Sequence, residues 1–419
     1  MAVRKLSIEA SAQDLTSITS KIYSEINADK RPYQERIVNQ CLSEFASGRH
    51  SVLIESPTGS GKTVMAMTVA ESIFRALDGK DGQADFLAVF ITLRRENLEQ
   101  AKNAHKKFGF TFPCIYVTQF EKEIPNATVM IVDEAHHDAT SSMQKSYSMI
   151  TPAFILGMTA TPYRSDRLGL GFEKIIKDAG YYSLIRDGYL SKPDLFMLRK
   201  FTPQAVADAY ISDAKLWGKT IIYFHTRAQC DEAQSIIAAA GLRSEVMVSD
   251  RPDRNEILDA FRAGEIPCLI NMALLTEGLD IDDLETVFVR PSVKGLTMQM
   301  CGRVLRLCSK KEITKKIVQC VSSKHPFASY APVKKRYIES MESKASSSNK
   351  WLGVGDSSTV DEVHQVVLAL RVSAGMETET TSLLTNIKSG QQYETPLFRP
   401  KFKKAGRGKK QRPVVFSAA

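Results

Sequence analysis

No apolar run in the 419 residues approaches the roughly 20 that a membrane span needs. Arg4 and Lys5 are followed by Ser7, Glu9 and Ser11 instead of a long apolar core, so a cleaved secretory leader is not expected. The seven cysteines, at positions 41, 114, 230, 268, 301, 308 and 320, include no C-x-x-C pair. That spacing supports neither a zinc ribbon nor a disulfide framework, and a reducing interior is the plain expectation. Histidines are equally few and scattered, and the one adjacent pair, His136 and His137, supplies too few ligands for a metal site. An intracellular, cytoplasmic protein without a membrane partner is therefore expected.

Acid is missing from one stretch. Residues 399–413 hold eight Lys or Arg and no Asp or Glu. Removing those eight from the net charge of +9 leaves +1 for the remainder, so the basicity belongs to the tail. The tail, 399–419, is expected to be disordered. Its cations either attract nucleic-acid phosphates in a salt-dependent way or form a solvated run. Phe402 and Phe416 are too few aromatics for a base-stacking platform.

What is present is ordinary globular material, about 43% apolar and 25% charged, and long enough for two or three domains. In residues 1–30, Leu15, Ile18, Ile22 and Ile26 recur at spacings of three and four, which predicts a helix whose one apolar stripe packs on the first lobe. From residue 51 short apolar runs alternate with helical stretches: Val52 to Ile54, Phe86 to Ile91, Val129 to Val132 and Phe154 to Met158. A second series comprises Ile221 to Phe224, Val246 to Val248, Cys268 to Ile270 and Val287 to Val289. Such runs read as buried parallel strands joined by helices, hence an α/β fold of two consecutive lobes, 31–193 and 194–325. A small extension occupies 326–398. Within it Ser346 to Asn349 reads as a linker, and Ser357 to Thr359 could cap a helix carrying Val363, Val366, Val367 and Leu370.

Two segments carry chemistry. Ser56-Pro57-Thr58-Gly59-Ser60-Gly61-Lys62-Thr63 succeeds a predicted strand and opens a predicted helix, the context a phosphate-binding P-loop requires. Gly59 and Gly61 let the backbone aim N–H groups at phosphate oxygens, Lys62 reaches the β- and γ-phosphates, and the Thr63 hydroxyl suits Mg²⁺. Ser56 stands where the strict pattern has its first glycine. The strand Val129 to Val132 ends in Asp133-Glu134-Ala135-His136. Asp133 is placed to hold the Mg²⁺ of ATP, and Glu134 to orient or deprotonate a water.

With these segments the chain resembles the superfamily 2 helicases of DEAH type from about residue 30 to residue 310. The resemblance implies two tandem RecA-like lobes that hydrolyse ATP between them. It makes Arg31, Tyr33 and Gln34 an adenine-reading motif, and Thr159 and Thr161 a coupling motif. Thr92, Arg94 and Thr118 fall where the first lobe touches a strand backbone, and Thr226 and Thr276 where the second does. Gly278, Asp280 and Gln299 fall in second-lobe motifs at the nucleotide. Arg303 and Arg306 become the pair that acts on the γ-phosphate, a role suited to charge building on a transferred phosphoryl. Asp187 to Leu190 and Arg290 to Ser292 look like the UvsW, RadD and Rad25-like group, although Ser249-Asp250 departs from its usual His-Gly.

The reading is an ATP- and Mg²⁺-dependent DNA helicase or translocase on single-stranded, forked or branched DNA, of phage or cellular origin, in repair, recombination or replication restart. An RNA helicase and the motor subunit of a restriction or defence complex are the alternatives. A non-catalytic binding module is disfavoured because Glu134 and Arg306 are both in place.

Overall fold

The apolar runs become strands buried on both faces, as parallel strands covered by helices require. The computed structural model describes residues 12–338 apart from 27, 30, 79–85, 138–140, 163–169, 249–250, 273–280, 309–311, 332 and 334. The expected linker and capped helix beyond residue 340, the basic tail, and the segment with Thr276, Gly278 and Asp280 lie outside the described residues.

Two helices lead in, α1 (Ala12–Glu25) and α2 (Pro32–Ala46). Leu15, Ile22 and Ile26 of the predicted stripe are buried, and α1 packs on α2 and on the later α3. Pro32 opens α2, where a missing N–H costs nothing. Six strands then form the first sheet: β1 (Ser51–Glu55), β2 (Ala88–Thr92), β3 (Cys114–Thr118), β4 (Val129–Asp133), β5 (Phe154–Thr159) and β6 (Lys174–Ile176). Their order is β3-β2-β4-β5-β1-β6, with parallel pairing throughout. Parallel neighbours need crossovers, supplied here by α3 (Lys62–Asp78), α4 (Arg95–Phe108) and α5 (Ser141–Met149); α6 (Tyr181–Arg186) comes after the sheet.

The second sheet is built the same way. It contains β7 (Asp194–Leu198), β8 (Thr220–Tyr223), β9 (Glu245–Met247), β10 (Cys268–Asn271), β11 (Thr286–Val289), β12 (Lys316–Cys320) and β13 (Lys335–Ile338). The order is β13-β7-β12-β11-β8-β10-β9, again parallel. Between these strands run α7 (Pro203–Ser212), α8 (Ala214–Trp217), α9 (Arg227–Ala239), α10 (Arg254–Ala263) and α11 (Lys294–Val304). The chain is thus an α/β fold of two tandem RecA-like lobes.

The sequence reading names four strands per lobe, and the sheets hold more. β12 is buried along its whole length yet carries Lys316 and Gln319. Those residues bury their polar ends on partners: Lys316 Nζ donates to Thr314 O at 3.0 Å, and Gln319 Oε1 accepts from Phe327 N at 2.7 Å. Strand β13 continues the second sheet beyond residue 325, pairing with β7.

Buried charge is handled differently in each lobe. In the first, Glu71 of α3 is fully buried and accepts from Thr111 N (2.9 Å), Thr111 Oγ1 (2.7 Å), Phe112 N (3.0 Å) and Arg75 Nε (2.9 Å). Burial alone would raise its titration point, and those four donors together hold it below the usual carboxylate range. In the second, buried Lys315 donates to the carbonyls of Asp282 and Leu284, both at 2.7 Å.

Candidate functional site

After β1 the chain turns through residues 56–61 and enters α3 at Lys62. Gly59 and Gly61 hold φ of +84° and +82°, left-handed backbone that a β-carbon disfavours. The turn is pinned from outside and from within. Tyr33 Oη and Gln34 Nε2, both on α2, donate to Ser60 O at 2.6 and 2.8 Å. Ser56 Oγ donates to Ser60 Oγ at 2.7 Å. Lys62 Nζ donates to Ser56 O at 3.3 Å, and Thr63 sits next to it in the first turn of α3. A helix start beneath such a loop gathers N–H donors suited to an anion.

Strand order brings the acids to this loop. β5 lies between β1 and β4, and its register matches Glu55 with Thr159 and Asp133 with Met158, so the three strand ends are level. Glu134, with φ +49°, is the one non-glycine with left-handed backbone among the described residues, a strained turn of the kind that gathers at functional sites. Its Oε2 is buried and meets no hydrogen-bond donor among the described residues, with His136 Nδ1 3.3 Å away. Burial favours the neutral acid, but His136, Lys62 and Arg303 outweigh it and hold the carboxyl below the usual carboxylate range. His136 Nδ1 also lies 3.1 Å from Thr159 Oγ1, which in turn accepts from Thr161 N at 3.0 Å. Asp133 Oδ2 receives Asn97 Nδ2 at 3.3 Å and Thr92 Oγ1 at 3.5 Å.

The second lobe closes on this cluster through α11. A methyl on Gly302 would fall 2.8 Å from Thr58 Cβ and 2.9 Å from Tyr181 Oη, so only glycine lets the helix lie against the loop. Tyr181 Oη donates to Met298 O at 3.1 Å, and Ser191 N to Leu305 O at 2.8 Å. Arg303 and Gln299 are buried on the same helix. Burial pushes Arg306 down to about 10. Burial likewise pushes the Lys62 ammonium below its usual value; Glu134 and Asp133 oppose this, and Arg303 and Arg306 add to it. Both arginines therefore lie within electrostatic reach of Lys62. At its other end α11 meets the first lobe again, where a methyl on Gly295 would come 3.3 Å from Thr161 Cγ2.

A family model described as the res subunit of type III restriction enzymes matches residues 27–123 and 114–164, and the helicase conserved C-terminal domain matches residues 203–308. The chain belongs to the superfamily 2 helicases. IRC3 of Saccharomyces cerevisiae, named as a putative ATP-dependent helicase, is 23% identical over 348 residues, taking in 67% of this chain and 50% of that one. The helicase chain therefore spans about half the length of that relative. Among solved structures, the type ISP restriction-modification enzyme LlaBIII bound to DNA matches with a TM-score of 0.56 at 14% identity, over 70% of this chain and 27% of that chain. S. cerevisiae Dbp5 bound to RNA and ADP BeF3 matches with a TM-score of 0.51 at 13% identity, over 74% of this chain and 93% of that chain. At such identities the likeness establishes the fold.

The structure brings the 57–63 loop, Asp133, Glu134, Thr159, Thr161, Arg303 and Arg306 close to one another. Gln34 stands at the same place, though its amide nitrogen is bonded to the loop backbone. Residues expected on a nucleic-acid strand are more dispersed. Thr92 is 1% exposed, its hydroxyl turned to Asp133 and its carbonyl accepting from Gln119 N at 3.0 Å, so the residue is buried away from the surface contact expected of it. Thr118 donates to Glu121 Oε1 at 3.4 Å. It lines a surface hollow of about 730 Å³ with Leu93, Arg95, Phe120 and Lys122, beside two acids, Glu121 and Glu123. Arg94 occupies the N-cap position of α4 without a side-chain capping bond, and the Thr226 hydroxyl accepts from Gln229 N to cap α9.

Two residues of the cleft escape the sequence reading. Asn97 reaches Asp133 from α4, and no local pattern marks it. Tyr189 packs its ring 5.2 Å from that of Tyr33 with the Arg31 guanidinium 5.7 Å from its centroid. The signal for Tyr189 is present in the Asp187–Leu190 segment, which in sequence reads as a subgroup mark and not as part of a site.

Proposed function

We propose that this helicase hydrolyses ATP between its two lobes in order to move along DNA, and the observation that carries this reading is the Glu134 carboxylate. A buried carboxylate held ionised by His136, Lys62 and Arg303 beside the phosphate loop is placed to orient or deprotonate an attacking water. Lys62 and the loop from Pro57 to Gly61 cradle the phosphates. The Thr63 hydroxyl and the Asp133 carboxylate fit Mg²⁺, an ion that keeps substrate oxygens and waters and so needs few protein ligands. Bound there, the ion would neutralise charge on the β- and γ-phosphates. Arg303 and Arg306 meet the charge that builds on the transferred phosphoryl. Arg31, Tyr33, Gln34 and Tyr189 form the base side, and Gln299, Gly278 and Asp280 serve the nucleotide from the second lobe. Thr159 and Thr161 couple the two halves, since one touches His136 and the other Gly295 of α11.

DNA is preferred over RNA because the first lobe matches the family model of a restriction-enzyme subunit. Asp187–Leu190 and Arg290–Ser292 support a place in the UvsW, RadD and Rad25-like group, acting inside the cell in repair, recombination or replication restart. Arg94, Thr118, Thr226 and Thr276 are the strand contacts in this reading. The basic tail adds a salt-sensitive attraction.

The test is ATP hydrolysis without nucleic acid and with single-stranded DNA, forked DNA or RNA, beside Glu134→Gln. Stimulation by DNA is expected, with the variant slower by about 10²- to 10⁴-fold while nucleotide still binds. Stimulation by RNA alone moves the reading to an RNA helicase. Stimulation that needs an added partner protein favours the motor of a restriction assembly, a second reading supported by the match to LlaBIII. No stimulation under any of these conditions sinks the proposal.

A further inference from the structure

The phosphate loop, α6 and α11 meet at one buried hydroxyl, that of Tyr181. The residue opens α6, whose first turn is fixed because Gly180 N donates to Ser183 Oγ at 3.0 Å. Leu184 and Ile185 of the same helix are buried and anchor it. Tyr181 Oη donates to Met298 O of α11 at 3.1 Å. A Cβ built on Gly302 would lie 2.9 Å from that oxygen, 2.8 Å from Thr58 Cβ and 3.2 Å from Thr58 Oγ1. In an α-helix the carbonyl of residue 298 also accepts from the N–H of residue 302, so the phenol enters at the turn that glycine leaves bare. The ring packs edge-on to Phe327 with 5.6 Å between centroids. Phe327 is fully buried, and its N–H donates to Gln319 Oε1 of β12 at 2.7 Å.

Thr58 belongs to the phosphate loop, and Gly302 is followed at once by Arg303. One phenol therefore spans from the loop to the helical turn that carries an arginine, and Arg303 is within its electrostatic reach. Burial raises the phenol well above its ordinary range, so the hydroxyl keeps its proton and donates. Space-filling does not require it. A bare ring would pack on Phe327 equally well, and Met298 O would keep its helical donor. Burying a hydroxyl is costly, and the hydrogen bond it makes offsets roughly that cost. Its net stabilisation is therefore small, and what it supplies is direction.

We propose that Tyr181 is a positioning residue, whose hydroxyl sets the register of α11 on the phosphate loop so that Arg303 and Arg306 are aimed at the γ-phosphate. The inference rests on the reading of the chain as an ATPase whose second-lobe arginines meet the transferred phosphoryl. A misplacement of about 1 Å in an aligned group can cost about 10²-fold in rate. A hydroxyl bonded to a backbone carbonyl fixes both the distance of the helix from the loop and its rotation. Tyr181 acts through the arginines and not on the substrate. Binding of ADP, which the first-lobe loop supports alone, should be indifferent to the hydroxyl, and recognition of the third phosphoryl should depend on it.

The test is Tyr181→Phe in the full chain, which keeps the ring and removes only the hydroxyl. Hydrolysis of ATP is measured with whichever nucleic acid stimulates the wild type. Equilibrium binding of a fluorescent ADP is measured in Mg²⁺ with and without aluminium fluoride, a mimic of the phosphoryl in transfer. Turnover is expected to fall about 10- to 10²-fold. ADP alone should bind within about twofold of wild type, and ADP with aluminium fluoride about tenfold or more weakly. The urea midpoint should stay close to wild type. A phenol that merely packs would weaken both nucleotide states alike, and that outcome overturns the inference. Wild-type turnover in the variant also overturns it, as does a variant that fails to fold, which would make the hydroxyl a structural tether. A wild-type protein that neither binds ADP nor hydrolyses ATP shows instead that the ATPase reading itself has failed.

Discussion

At its cleft-facing strand ends the first lobe sets charges of both signs side by side, whereas the second lobe contributes cations. Lys62 stands with Asp133 and Glu134, and Glu134 with His136. Opposite them are Arg303 and Arg306, and just past the ends of β8 and β11 His225 with Arg290. Ions compensated within one lobe can be held in place by that lobe's own fold. Guanidinia buried at the cost of desolvation gain when a ligand brings negative charge to them. On the function proposed above, the first lobe is the anion cradle and the second brings its arginines to the phosphate held there. The difference is one of electrostatics and not of architecture, since both sheets are parallel and both are covered by helices.

The comparison breaks most visibly if the arginines of the second lobe are not needed for hydrolysis. Arg306→Ala is expected to lower the turnover of ATP by about 10³-fold, the lower range for an arginine acting on a transferred phosphoryl. Nucleotide affinity should change far less, because the cradle of the first lobe is untouched. Steady-state hydrolysis together with equilibrium binding of a fluorescent nucleotide separates the two. A turnover within tenfold of wild type would make the second lobe's arginines packing residues only.

Much of the site is legible without the fold, and the reasons are local. A P-loop and a strand ending in acid announce themselves because each needs consecutive residues in a fixed context, so Lys62, Thr63, Asp133 and Glu134 can be named from spacing alone. Arg303 and Arg306 need a resemblance, since nothing in one helix says which loop it will face. The strands of the second sheet are harder, because Lys316 and Gln319 hide β12 from any count of apolar runs. Least legible are long-range partners. Glu71 and Thr111 are 40 residues apart. Thr92, expected as a surface contact, proves to serve Asp133 because β2 and β4 are neighbours, which only the strand order reveals.

Glu71 offers a way to sharpen the contrast on the side of stability. Its removal strands Phe112 N in the interior, takes an acceptor from Thr111 N and leaves Arg75 with one fewer acid. Glu71→Ala is expected to cost about 2–4 kcal/mol in urea unfolding of the first lobe, the scale for breaking a buried charge network. The folded carboxyl titrates below its ordinary range. The wild-type contribution should accordingly be present above the unfolded value and fade as the pH falls through the folded one. Arg290→Gln, in the second lobe, should lose little stability by the same measurement because no carboxylate is left behind. If the two variants lose equal stability, the distinction between compensated and ligand-dependent charge does not hold.

The smallest effect concerns the junction between the lobes. Tyr189 comes after α6 and leads into the second sheet, yet its ring rests on Tyr33 and under Arg31, both of the first lobe. An aromatic pair and a cation over a ring are worth about 0.5–1.5 kcal/mol each, so the group is modest in energy but specific in shape. Tyr189→Ala is expected to weaken ATP binding about threefold to tenfold and to narrow the preference for ATP over pyrimidine nucleotides, with Tyr189→Phe close to wild type. The comparison of ATP and CTP affinities is the decisive readout, because loosened packing alone would weaken both alike. Equal loss for the two nucleotides would place Tyr189 in the hinge and leave recognition of the base to Arg31, Tyr33 and Gln34.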